Sequence, residues 1–166
     1  MVERMTLSHL DGAGRPQMVD VTGKPATART AVAQGAIRMS REAFQLVADG
    51  AVAKGNVLAV SEIAGTLAAK RTAELIPLCH PLGLDYVEVE ARLDAKLPGV
   101  RVRAAAKTVG RTGVEMEALT AVSVALLAVY DMVKAADRAM EIQGVHLVEK
   151  TGGRRGDWKR NAADPG

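Results

Sequence analysis

Hydrophobic and polar positions near the start of the chain follow an extended pattern that changes to a helical one. Residues 18–21 and 28–39 are rich in apolar and β-branched side chains, and residues 22–25 between them are typical of a turn, which predicts two extended segments. Ser40 is a favourable N-cap and Gly50 a favourable residue just after a helix. A short helix is therefore predicted between them.

The middle of the chain predicts a long helix followed by two strands. Residues 57–76 carry apolar side chains at the i, i+3, i+7 spacing of a buried helix face, and Pro77 ends this pattern. Residues 84–93 alternate between apolar and polar side chains, as a half-buried strand does. After a Pro-Gly turn, residues 100–108 are predicted as the partner strand.

The last third of the chain predicts a buried helix and a final strand. Residues 118–129 (ALTAVSVALLAV) are apolar almost all round, so this helix is expected to be covered on several sides. Residues 142–148 are predicted as a strand, residues 1–17 as a flexible lead-in, and residues 150–166 as a flexible basic tail. Strands and helices are segregated and no linker divides them. We therefore predict a single domain of the α+β class with a largely antiparallel sheet packed against helices.

Composition and charge distribution disfavour nucleic-acid binding. Aromatic residues make up only 2% of the 166 residues, which leaves few platforms for stacking on bases. The net charge of +3 arises from the segment that begins at Lys150, which holds five basic and two acidic residues, so the rest of the chain is neutral. A nucleic-acid-binding domain usually has a basic patch on its folded body. No nucleic-acid partner is therefore expected.

The cellular setting is predicted from what the sequence lacks. Cys79 is the only cysteine, so neither an internal disulfide nor a cysteine-rich zinc site can form. The first residues lack the apolar core of a signal peptide, and no uncharged apolar run reaches the ~18 residues of a membrane span. We expect a cytoplasmic protein with no membrane partner. Walker, dinucleotide-binding and HExxH motifs are absent from the sequence.

The segment Leu78-Cys79-His80-Pro81 is the strongest local candidate for a site. Pro81 disfavours the α conformation at His80, so the imidazole is presented from an extended or turning backbone. An imidazole there could bind phosphate or transfer a proton near neutral pH. A buried structural histidine is an equally good interpretation. Cys79 is interpreted as a core residue, because adjacent side chains in an extended chain point to opposite faces.

Charged residues flank the apolar helix at both ends. Glu115 and Glu117 share a face if the segment before the helix is extended, but not if it is already helical, and simple N-terminal capping is the alternative. Asp131 and Lys134 are spaced i, i+3 at the far end, where an aspartate opposes the helix dipole. That unfavourable position suggests another purpose, although a surface ion pair remains an alternative.

The length of this helix limits how these charges could cooperate. Sixteen positions separate Glu115 from Asp131, so an uninterrupted helix would hold them roughly 24 Å apart. If both are functional, the site is shared between subunits, or the two ends serve different parts of an extended ligand. Lys54 precedes the second helix, where a cation near free N–H groups is a reasonable anion site. Lys150 begins a basic loop that could close over phosphate, with a solvated tail as the alternative.

Four segments together resemble the MoaC family of molybdenum cofactor biosynthesis, over residues 8–160. They are MVDVTGKPATART, KGNVLAVSEIAGTLAAKRTAELIPLCHPL, GRTGVEMEALTAVSVALLAVYDMVKAAD and LVEKTGGRRGDWKR. The resemblance implies a ferredoxin-like α+β fold and a homohexamer, built as a trimer of dimers with active sites at the dimer interface. It also implies a phosphorus–oxygen lyase that converts (8S)-3′,8-cyclo-7,8-dihydroguanosine 5′-triphosphate to cyclic pyranopterin monophosphate and pyrophosphate.

The resemblance also implies roles for individual residues. Asp131 matches the catalytic aspartate and Lys134 its acid–base partner. The substrate-binding positions it implies are Lys54, Leu78, Cys79, His80, Glu115, Met116, Glu117 and Lys150. No cofactor is expected, although a divalent ion could accompany the triphosphate, and functional coupling to the upstream radical enzyme is expected. The alternatives are a non-catalytic nucleotide-binding or scaffold protein and a basic-tailed RNA-associated protein.

Overall fold

The computed structural model describes residues 10–161. Local sequence signals set the ends of several helices and strands. The first helix, for example, begins after Ser40, whose hydroxyl accepts a hydrogen bond from the Ala43 N–H. The elements in chain order are β1 (Thr27–Arg38), α1 (Arg41–Ala48), α2 (Val57–Lys70), α3 (Thr72–Leu75), β2 (Tyr86–Asp94), β3 (Gly99–Gly110), α4 (Glu115–Val133), β4 (Glu141–Thr151) and β5 (Trp158–Lys159).

The five strands form one antiparallel sheet in the order β2-β3-β1-β4-β5. Small side chains face the helices from the central strands, as where Ala33 of β1 lies opposite Ala104 of β3. Gly35 continues this row, and a Cβ there would lie 3.0 Å from the Leu126 side chain of α4. The helix therefore packs closely on the sheet. The α+β class predicted from the sequence pattern and the ferredoxin-like arrangement implied by the resemblance are confirmed.

The core lies between the sheet and α4, with α2 running antiparallel beside α4. Ala121, Val122 and Leu126 of α4 are completely buried. A Cβ on Gly65 of α2 would lie 2.8 Å from the Ala121 carbonyl oxygen, so only glycine allows this approach of the two helices. By length and composition α4 could cross a membrane, but more than half of it is buried inside the fold. It is the central core helix, as its all-round apolar pattern predicted.

Two sequence predictions are wrong in detail. Residues 18–21 belong to no strand, because the Asp20 carboxylate accepts a hydrogen bond from the Thr22 N–H and turns the chain instead. The helix predicted over residues 57–76 is interrupted at Arg71. There the hydroxyl of Thr72 donates to the backbone carbonyls of the preceding turn, and the chain restarts as the short helix α3.

The segment predicted as a flexible tail begins inside the sheet. Lys150 lies in β4 and pairs with Trp158 of β5, which forms a hairpin closed by a glycine-rich turn. The Asp157 carboxylate holds this turn by accepting a hydrogen bond from the Gly152 N–H. Of the predicted lead-in, the described part starts with a turn in which Leu10 pairs with Pro16. Residues 1–9 and 162–166 lie outside the described residues.

Candidate active site

The residues predicted from the sequence fall into two groups at opposite ends of α4. The helix is continuous from Glu115 to Val133, so the roughly 24 Å separation calculated from its rise per residue applies within one chain. The group at the end of the helix, called the C-terminal group below, consists of Lys54, Asp131 and Lys134. The group at its start, called the N-terminal group, consists of Leu78, Cys79, His80, Glu115, Met116, Glu117 and Lys150.

The C-terminal group is a carboxylate held between two ammonium groups. Lys134 Nζ donates to Asp131 Oδ1 at 2.7 Å, and Lys54 Nζ donates to Asp131 Oδ2 at 2.8 Å. Lys54 also donates to the Asp131 backbone carbonyl at 2.9 Å. This lysine lies in the loop just before α2, whose N-cap Asn56 accepts a hydrogen bond from the Ala59 N–H. The antiparallel packing of α2 on α4 therefore assembles the group.

The two lysines control the charge state of Asp131. Hydrogen bonds from Lys134 and then from Lys54, together with their positive charges, lower the pKa of Asp131 to about 2. All three side chains are about half exposed, so a ligand can reach them. At neutral pH the group carries one net positive charge. It can hold an anion, and either ammonium can donate a proton while Asp131 accepts one.

A cavity of about 690 Å³ lies at the opposite end of α4 and contains every residue of the N-terminal group. Sequence reasoning did not name five further basic residues in its wall, although two of them lie in the basic loop that begins at Lys150. The placement of these residues depends on strand pairing and on the β4–β5 hairpin, and the only local signal is the adjacent pair of arginines in TGGRRGD. These residues are Lys24, Arg29, Arg111, Arg154 and Arg155.

His80 combines the two interpretations left open by the sequence. Its Nε2 lies 2.7 Å from the Val19 carbonyl oxygen, and a carbonyl can only accept, so this nitrogen carries the proton. The bond fixes the ring orientation and leaves Nδ1 as the other hydrogen-bonding atom. The side chain is half-buried and lines the cavity. His80 is therefore both anchored to the backbone and available to a ligand.

Glu115 and Glu117 lie in the first turn of α4, so they do not share a face. Glu115 is half-exposed and curls back over Gly113, where a Cβ would overlap its carboxylate. Glu117 is only 4% exposed. Burial, followed by the Glu115 charge, raises the pKa of Glu117, while a hydrogen bond to its own backbone acts in the opposite direction. The cavity thus has a poorly solvated carboxyl group in its wall.

Cys79 is unsuited to nucleophilic chemistry in this site. Burial, and next the charge of Glu117, raise the pKa of the Cys79 thiol. A raised pKa keeps the thiol protonated at neutral pH, whereas nucleophilic attack requires the thiolate. The sequence interpretation of a small apolar residue next to His80 agrees with this environment, although the side chain is half-buried at the cavity wall rather than within the core.

The glycine-rich turn of the β4–β5 hairpin forms the basic side of the cavity. Lys150 Nζ donates to the Gly156 carbonyl oxygen at 2.6 Å. Arg29 Nε donates to the Gly110 carbonyl oxygen at 2.9 Å, and a Cβ on Gly153 would overlap the Arg29 guanidinium. Arg29 therefore ties β1 to the end of β3 and supports the turn. Gly153 must be glycine both for this contact and for its φ of +81°.

The two groups differ in the chemistry they can supply. The N-terminal group offers a cavity with a basic rim and a buried carboxyl group, which suits a polyanion that carries a hydrogen-bond donor. The C-terminal group offers acid and base side chains that are about half exposed. Within residues 10–161, no three His, Cys, Asp or Glu side chains are placed to hold a metal ion.

Comparison with known proteins gives a consistent result. Residues 18–153 match the sequence profile of the MoaC family. Cyclic pyranopterin monophosphate synthase of Methylobacterium sp. (strain 4-46) is 59% identical over 160 residues, which cover 96% of this chain and 98% of the relative. Relatives of the same name are 56% identical in Cereibacter sphaeroides (strain KD131), over 94% of this chain and 98% of the relative, and 57% identical in Thermomicrobium roseum, over 93% of each.

Proposed function

This chain belongs to the MoaC family, and on that premise we propose how its two groups of residues divide the reaction. The chain is a lyase of molybdenum cofactor biosynthesis. It converts (8S)-3′,8-cyclo-7,8-dihydroguanosine 5′-triphosphate to cyclic pyranopterin monophosphate and pyrophosphate. The assignment of roles is based on one observation: a single cavity is lined by every residue of the N-terminal group and has basic residues at its rim.

The basic side of the cavity binds the triphosphate. Lys150, Arg29 and the exposed arginines of the glycine-rich turn supply positive charge around one opening. Arginine and lysine form strong charge-assisted hydrogen bonds with phosphate oxygens, and His80 adds a donor at Nδ1 when its ring is in the imidazolium form. The same groups stabilise the charge that develops on departing pyrophosphate. No covalent attachment to the protein is needed for this role.

The buried carboxyl group of Glu117 recognises the ring system. A guanine-derived ring presents N–H donors, and Glu117 faces the cavity with little competition from water. Its hydrogen bond to such a donor is stronger than a solvated one because the local dielectric constant is low. Met116 and Leu78 supply apolar surface beside it, so the same wall takes both the ring edge and the ring face.

The C-terminal group carries out proton transfer. Rearrangement of the ring and closure of the cyclic phosphate both require protons to move, which carboxylate and ammonium groups can accept and donate. Asp131 is the base and Lys134 the acid, with Lys54 holding the carboxylate from its other side. The low pKa of Asp131 makes it a weak base until substrate draws the lysines away from it.

The site is completed by a second copy of the chain. Glu115 and Asp131 lie at opposite ends of one helix, too far apart for a single small substrate to contact both within one subunit. The C-terminal group of one subunit therefore serves the cavity of its neighbour, in a homohexamer organised as a trimer of dimers. No resident cofactor takes part, and a divalent ion enters only with the triphosphate. The enzyme works in the cytoplasm, coupled to the radical enzyme that makes its substrate.

Mixing two inactive variants tests this division of roles. Asp131→Asn chains keep an intact cavity, and Glu115→Gln chains keep an intact C-terminal group. In a mixed dimer one of the two sites is complete, so random exchange restores about a quarter of the original activity. Release of pyrophosphate and of the pterin product is measured before and after exchange. No recovery, despite mass spectrometric proof of mixed dimers, contradicts the shared site.

A further inference from the structure

The turn that follows α4 holds the end of the helix next to Lys134. Lys134 is the first residue beyond the helix, and its backbone N–H still donates to the Tyr130 carbonyl at 2.9 Å. The last carbonyl groups of a helix have no partner within it, so a helix end frays unless other groups hold it. Here the Val133 carbonyl accepts from the Ala136 N–H at 2.8 Å, and the chain folds back. The position of the Lys134 side chain therefore depends on what fixes the residues after it.

Asp137 fastens this turn to the start of α1. Its Oδ2 accepts a hydrogen bond from the Ser40 N–H at 2.8 Å, and its Oδ1 accepts one from the Ala139 N–H at 2.8 Å. Ser40 is a firm anchor because it follows Met39, which is only 4% exposed and donates its N–H to the Pro98 carbonyl at 3.0 Å. The half-buried Asp137 thus ties the end of α4 to the junction between β1 and α1.

Tyr130 fastens the same turn to α4 itself. Its hydroxyl donates to the Arg138 carbonyl at 3.0 Å, and its ring packs against the core. Tyr130 directly precedes Asp131 and lies about one helical turn before Lys134. The segment that carries both residues proposed for proton transfer is therefore held at its two ends, at Tyr130 and at Asp137.

The two contacts act on one side of the Asp131 carboxylate. Lys134 Nζ reaches Oδ1 from the end of α4, whereas Lys54 Nζ reaches Oδ2 from the loop before α2. Lys54 also donates to the backbone carbonyl of Asp131, and neither of its contacts involves the turn. Loosening the turn should therefore displace Lys134 and leave Lys54 in place. A displacement of about 1 Å can slow a reaction about a hundredfold.

We propose that Asp137 and Tyr130 are positioning residues that hold Lys134 against Asp131 for proton transfer. This inference rests on the acid–base role proposed above for the C-terminal group. The hydrogen bonds of both side chains go to backbone groups. Asp137 fixes the turn after Lys134, and Tyr130 fixes that turn to the helix that bears Asp131. They set the geometry of the group and exchange no proton with the substrate.

The pKa of Asp131, measured without substrate, reports the position of Lys134. The hydrogen bond from Lys134 is the largest cause that lowers this pKa to about 2. In Tyr130→Phe and in Asp137→Asn the pKa, followed in the folded chain by carbon-13 NMR of the labelled carboxyl group, should rise above that value. It should stay below 3.8 because Lys54 remains in contact. A loss of stability alone would not change it.

The rate of turnover supplies the second measurement. Both variants should lower kcat by about tenfold or more and change KM by less than about twofold, because the substrate-binding cavity lies at the other end of α4. When Tyr130→Phe is combined with Asp131→Asn, the rate should fall little further, because the carboxylate that Lys134 is held against is already gone.

Two control variants remove similar groups elsewhere in the chain. Tyr86→Phe removes the hydroxyl of the other tyrosine, which is exposed on β2. Asp85→Asn changes another carboxylate that accepts a hydrogen bond from a distant segment, in this case from the Val109 N–H at 2.7 Å. Both controls should leave the pKa of Asp131 and kcat unchanged.

An unchanged pKa of Asp131 in Tyr130→Phe overturns the proposal, whatever happens to the rate. A loss of rate that adds in full to the loss in Asp131→Asn also overturns it. These two measurements do not depend on Asp137→Asn, which changes a half-buried contact and is more prone to misfold. A raised pKa of Asp131 with an unchanged kcat confirms that the two residues hold Lys134 and contradicts the acid–base role instead.

Discussion

Lys54 and Asp131 are 77 positions apart in the sequence, yet Lys54 Nζ lies 2.8 Å from the Asp131 carboxylate. The contact exists because α2 begins where α4 ends, and Gly65 lets the two helices approach closely along their length. The contact joins the charges of Lys54 and Asp131, which come from separate segments, into one group with Lys134. A change that disturbs the packing of the helices should therefore also disturb the proposed acid–base group.

Replacing Asp131 tests its proposed role in proton transfer. Asp131→Asn keeps the size of the side chain but removes the ionisable group, so single-turnover rates should fall by about a hundredfold or more. The melting temperature should fall only modestly, because solvent screens the ion pairs that the exposed Asp131 makes with the two lysines. Glu141→Gln is the matched control, since Glu141 is also an exposed acid paired with a basic residue. Near-normal turnover in Asp131→Asn would rule out the catalytic assignment.

The lowered pKa of Asp131 predicts a pH dependence of stability. Its pKa falls from 3.8 to about 2 in the folded chain, so folding favours the ionised form. The stabilisation is fully present above the unfolded value and is lost as the pH falls from about 3.8 to about 2. Denaturant titrations of the original chain and Asp131→Asn should differ less at the acid end of this range. A constant difference would contradict the proposed coupling to the lysines.

Glu117→Gln should weaken substrate binding and, at neutral pH, increase the stability of the fold. Losing a charged hydrogen-bond acceptor should raise KM by about tenfold or more. The pKa of Glu117 is raised in the folded chain, so folding disfavours the ionised carboxylate. The contribution of protonated Glu117 to the free energy of unfolding is therefore present at acid pH and is lost as the pH rises through the folded-state pKa. The neutral glutamine should therefore raise the melting temperature at neutral pH and have less effect in acid.

Glu88→Gln is the control for this change because Glu88 is exposed on the sheet. It should leave both KM and the melting temperature nearly unchanged. If Glu117→Gln lowers the melting temperature at neutral pH, the buried carboxylate is a net stabilising group. The proposed conflict between stability and binding would then be wrong.

His80→Ala should weaken substrate binding more than it weakens the fold. The variant loses one hydrogen bond to the Val19 carbonyl, which contributes about 1 kcal/mol to the free energy of unfolding. His146→Ala is the control, since His146 also bonds a backbone carbonyl but lies outside the cavity. KM and thermal unfolding are measured for both. A large fall in melting temperature with unchanged KM would favour a purely structural histidine.

Local signals predicted much of this fold, whereas contacts between distant segments did not show in the sequence. The helix start at Ser40 depends on a side chain that caps a backbone group three residues on, so it can be predicted from the sequence. The break in the helix at Arg71 depends on which backbone carbonyls accept a hydrogen bond from the Thr72 hydroxyl. The two-residue strand at Trp158 forms only because β4 offers a free edge. Such outcomes follow from the assembled chain rather than from any short window.

The candidate site divides in the same way. The sequence indicated the segment around His80 and the acids Glu115 and Glu117 because these residues stand at helix boundaries, where they are unusual. Arg29 was not, because it reads as one polar position in an alternating strand until β3 pairs with β1 and brings Gly110 to it. The calculation from helix length did anticipate that Glu115 and Asp131 lie at opposite ends of one helix.

The hydrogen bond from Lys150 to the Gly156 carbonyl holds a long, flexible side chain in one position. It uses one of the three N–H groups of the ammonium, so two remain for phosphate oxygens in the role proposed for Lys150. A lysine side chain that is already restrained loses less conformational entropy when it binds a ligand. In that role the turn preorganises Lys150, and phosphate binding requires no rupture of the hairpin.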